Sequence, residues 1–351
     1  MHKIITRSAE RWESTLFPRP IVGVGLNRDV WHQKPDIPRR LLLLTTNHVG
    51  NNLFCTPGIR LLKKYLPDVE LDVVAMSIRG ARVFDNNPDV RRVYLLKPKI
   101  WVRWLAAKYD WVIGLHHDVA TLYLGGPSEN SVIIGPVLPI VHRAEQVLQF
   151  VQSLIGCPVT DTDRGYVLYP RPEDGTTIDR HLGHVGRDDI LVGFHLGSGR
   201  TSLHGWRFWS AQRGDNDPRI WPVDHYTTLA TMLRAANPRI RLVLTGSRQE
   251  GFLGKRFMRS VSQVINLVGK TSLLELAALM PRLRMFVTHD TGALHVACAT
   301  GVPLVGLFGP TEPSQTGPYP HRPQDILLQK TKIAEIRPAE VCAAILAGLA
   351  T

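Results

Sequence analysis

Apolar positions along the chain follow two rhythms: short continuous runs, and longer stretches with apolar residues three or four apart. The first is the mark of strands buried on both faces of a parallel sheet, the second of amphipathic helices. Runs at 41–44, 71–76, 92–96, 111–115 and 132–135 predict five strands, with helical patterns between several of them, one ending near Tyr65. The segment Asn47-His48-Val49-Gly50-Asn51-Asn52 after the first run reads as a turn-rich loop. A stretch at 156–187, rich in Pro, Gly and charge, interrupts the alternation. It then resumes with strands at 190–195, 240–245, 264–267, 284–288 and 303–308 and helices at 223–235, 249–262, 273–280 and 291–300, then a last helix after Pro338. Ser272 with Glu275 forms a capping box before one helix, Gly301 stops another, and Pro338 suits a first helical turn. Strand and helix in this order imply βαβ units, hence two doubly wound α/β domains in tandem. The expected organisation is an irregular extension over 1–38, a first domain over 39–165, a linker over 166–188, a second domain over 189–333 and a C-terminal helix over 334–351.

The 351 residues suffice for two such domains at roughly 150 residues each. A 44% hydrophobic and 21% charged composition excludes a disordered or collagen-like chain. No run approaches the ~20 apolar residues of a spanning helix. The N-terminus lacks the apolar stretch of a secretory signal, so the expected compartment is the cytoplasm. Cys55, Cys157, Cys298 and Cys342 lie far apart without a CxxC pair and read as small buried apolar residues. The net charge of +12 favours a polyanionic partner: nucleic acid, anionic lipid headgroups or a phosphorylated substrate. No helix-turn-helix, zinc finger or RNP-like motif accompanies it, which sets nucleic acid aside.

Candidate chemistry concentrates where strands end. Thr288-His289-Asp290-Thr291-Gly292-Ala293-Leu294-His295 closes a strand and opens a helix, whose free N–H groups and dipole make an anion site. Gly292 lets a phosphate approach the backbone, Asp290 can accept from sugar hydroxyls, and His295, one turn in, supports the phosphate or simply packs. Gly197 and Ser198, after another strand, allow a second close approach. Arg219 offers a planar, permanently charged fork to a diphosphate just before a helix. The aromatic stretch Trp206-Arg207-Phe208-Trp209 reads as core, as a lid, or as an apolar patch for a membrane or acceptor. Three motifs carry less. Asp161-Thr162-Asp163 spells a metal-binding DxD but falls in an irregular stretch, and Gly23-Val24-Gly25 lacks the third glycine of a dinucleotide fingerprint. His116-His117-Asp118 ends a strand, where adjacent histidines point apart, so a substrate-facing loop is expected rather than a metal pair.

Several of these motifs occur in one order with others: Gly50, Asn52-Leu53-Phe54-Cys55-Thr56-Pro57, His195-Leu196-Gly197, Trp221-Pro222, Val268-Gly269-Lys270-Thr271-Ser272, Asp290-Thr291-Gly292-Ala293-Leu294-His295 and Phe308-Gly309-Pro310-Thr311. Over roughly 40–320 the chain resembles glycosyltransferase family 9, the ADP-heptose:lipopolysaccharide heptosyltransferases. The resemblance implies a GT-B fold, two Rossmann-like domains facing across a cleft, acceptor on the first and nucleotide sugar on the second. It also implies an inverting transfer without a metal or other cofactor. The leaving diphosphate would be met by the amides of Thr291 and Gly292 and by Arg219. Glu250 matches a position contacting the nucleoside ribose, and Asp290 one contacting the sugar or its phosphate surroundings.

Two departures matter. Arg219 stands where the family commonly has Lys, and Asn51 where it has the Asp proposed to activate the acceptor; an amide takes no proton. Either another base serves, with His48 and Asp118 as candidates, or Asn51 only positions the acceptor, or the protein is impaired. The expected function is transfer of heptose from ADP-heptose to a lipopolysaccharide-core or related glycan, at the cytoplasmic face of the inner membrane. A non-catalytic nucleotide-sugar-binding scaffold, or a transferase with another donor, is the alternative.

Overall fold

The protein is described from a computed structural model over residues 38–95, 98–126, 130–198 and 218–350. The expected extension (except Pro38), the Gly23-Val24-Gly25 segment and the aromatic stretch 206–209 lie outside the described residues. The described chain falls into two compact units, one ending at Tyr169 and one starting at Pro170.

The first unit alternates β1 (Arg40–Leu44), α1 (Val49–Tyr65), β2 (Glu70–Ala75), α2 (Ile78–Ala81), β3 (Arg92–Leu95), α3 (Lys99–Ala106), β4 (Trp111–Gly114), α4 (His117–Leu124), β5 (Ser131–Ile133) and α5 (Arg143–Ile155). Its five strands pair in parallel in the order β3-β2-β1-β4-β5. The leucines at 41 to 44 are wholly buried, as a central strand covered on both faces requires. Helix α1 starts at Val49, so Asn51 and Asn52 lie in its first turn and not in the loop their residue types suggest. The cause is tertiary. Buried Asn52 accepts from the Thr46 N–H at 3.0 Å and donates to the Thr46 carbonyl at 3.2 Å, fastening the helix to the end of β1. Pro57 sits inside the same helix, and the Thr56 hydroxyl donates at 2.8 Å to the Leu53 carbonyl that a proline cannot serve.

The Asp161-Thr162-Asp163 motif is a single 3-10 turn that works as a staple. Asp163 pairs with Lys64 at 2.8 Å and accepts from the Thr160 N–H and hydroxyl, while Arg60 donates to the Thr162 and Asp163 carbonyls. Burial alone pushes the Asp163 carboxyl up, but the Lys64 ammonium and the Thr160 donors outweigh it and bring it down to about 2. A drop from 3.8 to about 2 is worth ~2.4 kcal/mol, trimmed because Lys64 is 43% exposed. Asp163→Asn is therefore expected to cost about 2 kcal/mol at neutral pH. Because the folded pKa lies below the unfolded one, this stability is present above about pH 4 and drains as pH falls toward about 2. Urea denaturation of both proteins across that window should show the gap closing; a gap that persists in acid would assign it to packing.

The second unit comprises α6 (Pro172–His181), β6 (Ile190–His195), α7 (Val223–Ala236), β7 (Ile240–Thr245), α8 (Gly251–Met258), β8 (Val264–Asn266), α9 (Leu273–Leu279), β9 (Met285–His289), α10 (Gly292–Thr300), β10 (Leu304–Phe308), α11 (Pro313–Thr316), β11 (Ile326–Gln329) and α12 (Pro338–Ala350). Six parallel strands follow the order β11-β10-β9-β6-β7-β8. The Ser272–Glu275 capping box forms, and Gly301 ends α10 in the left-handed region at φ 79°. The stretch expected as a linker contains α6, fixed by a hydrogen bond from the Arg171 N–H to Asp174 at 2.7 Å and by an Arg282–Asp179 ion pair at 3.0 Å. The expected helix 249–262 is shorter, a 3-10 turn Arg248–Glu250 followed by α8. No described helix is long and apolar enough to cross a membrane.

Strand order reverses between β1 and β4 in one sheet and between β6 and β9 in the other. Crevices at the carboxyl ends of such neighbours are where doubly wound sheets bind ligands. Each unit thus presents one such edge.

Candidate functional site

In the second unit the edge is built by the segments following β6, β7, β9 and β10. Thr291 is the extended N-cap of α10, with its hydroxyl 3.3 Å from that of Thr288 and no side-chain cap to the helix. Gly292 opens the helix and is only half-buried, as is Asp290, which accepts from the Thr316 hydroxyl at 3.0 Å. A helix start of this kind presents N–H groups to an anion. His295 is buried one turn in, behind the helix tip.

Under the tip lies a polar layer to which the sequence motifs assign no role. His289 donates from Nδ1 to the Gly197 carbonyl at 3.2 Å, and its Nε2 meets the Tyr226 hydroxyl at 2.9 Å. That hydroxyl also reaches the His195 carbonyl at 3.1 Å, tying the ends of β6 and β9 to α7. Burial pushes the His289 ring down to about 3, so it is neutral and structural. His195, whose Nδ1 lies 3.1 Å from the Thr245 hydroxyl, is likewise held below its ordinary value by burial.

Glu250 is 4% exposed and packs directly on Gly197: a Cβ there would fall 2.0 Å from Glu250 Oε1. Its other carboxylate oxygen accepts from the Ser247 N–H in the turn after β7. Buried Ser198 follows Gly197 on the same loop. Arg219 is exposed, two residues before the wholly buried Trp221, whose indole donates to the Ile336 carbonyl at 2.8 Å. A Cβ on Gly309 would fall 2.9 Å from the Pro218 carbonyl, so this anchored segment runs beside the loop after β10. Gly197, Ser198, Glu250, Asp290, Thr291 and Gly292 thus share one sheet edge, with Arg219 beside it.

In the first unit the segments after β1 and β4 meet. The Asn51 side-chain amide lies 3.4 Å from His116 Nε2. His116 is the N-cap of α4, and the sequence-adjacent His117 and Asp118 lie in its first turn rather than in a loop. His117 Nδ1 donates to the Ile134 carbonyl at 2.9 Å. Desolvation lowers the His116 pKa; Asp118 opposes this, while Arg143, His48 and His117 add to it. His116 Nδ1 and Arg143 Nε are buried without a hydrogen-bond partner. His48, N-cap of α1, is reached by solvent, yet the surrounding chain holds its pKa below 6.5. Asp118 is exposed. Among the described residues no group of three or more His, Cys, Asp or Glu is placed to hold a metal ion. Cys55, Cys157 and Cys342 are buried and Cys298 half-buried, all as free thiols.

Known proteins carry the same pattern. Residues 209–342 match glycosyltransferase family 9 (heptosyltransferase). The lipooligosaccharide heptosyltransferase 2 of Haemophilus influenzae is 32% identical over 122 residues, 33% of this chain and 35% of that protein. The match therefore spans about a third of this curated relative. A family 9 glycosyltransferase from Veillonella parvula superposes with a TM-score of 0.72 at 21% identity, covering 89% of this chain and 97% of that one. The ADP-heptose lipopolysaccharide heptosyltransferase II of Escherichia coli gives 0.68 at 19% identity, covering 89% and 98%. These structural likenesses establish the fold, a GT-B pair of parallel-sheet units. The sequence match falls in the second unit, over α7 to α10 and beyond, so it is this part of the chain that is similar to glycosyltransferase family 9.

Proposed function

We propose that the protein is an inverting glycosyltransferase that moves heptose from ADP-heptose onto a lipopolysaccharide-core or related glycan acceptor. The observation that carries the reading is the start of α10 at the strand-order reversal of the second sheet, where half-buried Asp290 and Gly292 flank the extended cap Thr291. As the glycosidic bond breaks, the sugar becomes oxocarbenium-like and the diphosphate gains charge. The N–H groups at Thr291 and Gly292 and the guanidinium of Arg219 meet that charge with positive ends already in place. Asp290, oriented by Thr316, accepts from donor hydroxyls, and Glu250 holds the ribose. In the first unit neutral His48 takes the proton of the attacking acceptor hydroxyl, with Asn51 orienting rather than accepting. Asp118 is the alternative base. His295 supports the helix tip from behind. The reading places the protein in the cytoplasm, peripheral at an anionic membrane surface, and asks for no cofactor beyond the donor.

Asn51 favours a second reading. With no carboxylate in the first turn of α1, the chain would be a nucleotide-sugar-binding scaffold. Purified protein supplied with heptose-deficient lipopolysaccharide and a panel of nucleotide sugars separates the two. The transferase reading expects product only with its donor and with inverted anomeric configuration. Tight nucleotide binding without product supports the scaffold, and no binding of any nucleotide sugar overturns both.

A further inference from the structure

Helix α3 has two unlike faces. Val102, Leu105 and Ala106 point inward and are buried, whereas Ile100, Trp101 and Trp104 stand 73%, 54% and 55% exposed. Among the described residues the other two tryptophans are covered: Trp111 is half-buried, and Trp221 is wholly buried and spends its indole N–H on a carbonyl. Trp101 and Trp104 instead pack edge-on against each other at 5.9 Å on the outside of the unit. Leu122 of α4, 53% exposed, adds to the apolar surface. Arg103 joins the two helices by donating at 3.0 Å to the Tyr123 carbonyl in the last turn of α4.

The polar residues of this segment are of one sign. Residues 97–108 contain Lys97, Lys99, Arg103 and Lys108 and no acid. Lys108 Nζ sits 3.2 Å above the Trp104 ring. The next acid along the chain, Asp110, is occupied by the N–H groups of Arg39 and Arg40. Indole rings interleaved with lysine and arginine match the boundary between acyl chains and anionic headgroups, where the ring buries its body and the cation meets phosphate. A second copy of this chain fits poorly, because it would bring the same cations, on a molecule of net charge +12, against themselves.

We infer that the exposed face of α3, with Leu122 of α4, is the surface by which this protein docks on an anionic lipid bilayer. The inference rests on the proposed function for its purpose: α4 carries His117 and Asp118 at its other end, so docking would bring that sheet edge to a lipid-anchored acceptor. It does not need that function for its test.

The full chain is floated with vesicles of phosphatidylcholine alone and with added phosphatidylglycerol, without any sugar substrate. Binding is expected only to the anionic vesicles. The Trp101→Ala/Trp104→Ala variant should bind at least ~10-fold more weakly, and Lys99→Ala and Lys108→Ala should each lose ~5-fold, with wild-type binding fading as salt rises. Transfer to a lipid-free acceptor should be unchanged in the tryptophan variant. Equal binding by wild type and variant, or binding indifferent to lipid charge, overturns the inference. So does a wild-type dimer that the tryptophan variant dissolves. Vesicle binding with no transfer activity would instead leave the docking surface standing and count against the proposed function.

Discussion

Alanine at Gly197 is expected to weaken binding of ADP by about 30-fold while the protein stays folded. The new methyl carbon would lie 2.0 Å from Glu250 Oε1 and 2.2 Å from its Cδ, far inside contact distance. A carboxylate at the end of a flexible chain normally swings away cheaply. Here it is buried and already serves the Ser247 N–H, so it moves only by leaving the turn after β7 without its acceptor. If the loop yields instead, Gly197 withdraws its carbonyl from His289 and loosens the layer beneath the α10 tip. Restoring the displaced carboxylate or loop when ADP binds would cost about 2 kcal/mol, the size of overpacking strain, and 1.4 kcal/mol is tenfold in affinity. Calorimetric titration with ADP measures the loss, and circular dichroism checks the fold. Unchanged affinity would remove Glu250 and this loop from the donor site.

The second large effect concerns the proton. His48→Ala is expected to lower kcat ~100-fold while the donor Kd stays where it was, the pattern of a group that acts only in the transition state. Its pH dependence has a definite sign. A base works deprotonated, and burial holds the His48 ring below 6.5, so wild-type kcat should be level at neutral pH and fall only as pH drops through that lowered pKa. The residual activity of the variant should lack this limb. If Asp118 were the base, His48→Ala would keep the limb unmoved and Asp118→Ala would abolish it. Rate profiles of the two variants side by side decide between them.

Much of the fold is legible in the sequence because its central strands are continuous apolar runs, such as the leucines of β1, and its helices end on punctuating glycines such as Gly301. What escapes notice has weak local signals. Helix α6 buries only Ile178, so its pattern cannot be told from a charged connection, and β11 is a half-buried edge strand. Asn51 and Asn52 read as loop residues by composition, yet the two hydrogen bonds of Asn52 to Thr46 override that preference. The motif of the proposed donor site is visible because strand end, cap and helix start are contiguous from Thr288 to Gly292. Its supports are not. Thr316 reaches Asp290 across 26 residues, and Asn51 meets His116 across 65. The Asp161-Thr162-Asp163 motif illustrates the converse, a metal-binding spelling whose carboxylate is spent on Lys64 and Thr160.

A crystal structure of the full chain with ADP-heptose tests the central claim most directly. Diphosphate oxygens are expected at hydrogen-bonding distance, ~2.9 Å, from the backbone N–H groups at the start of α10, with Arg219 reaching the same phosphates and Glu250 the ribose. A nucleotide lodged at any other edge, leaving Thr291 and Gly292 untouched, would contradict it.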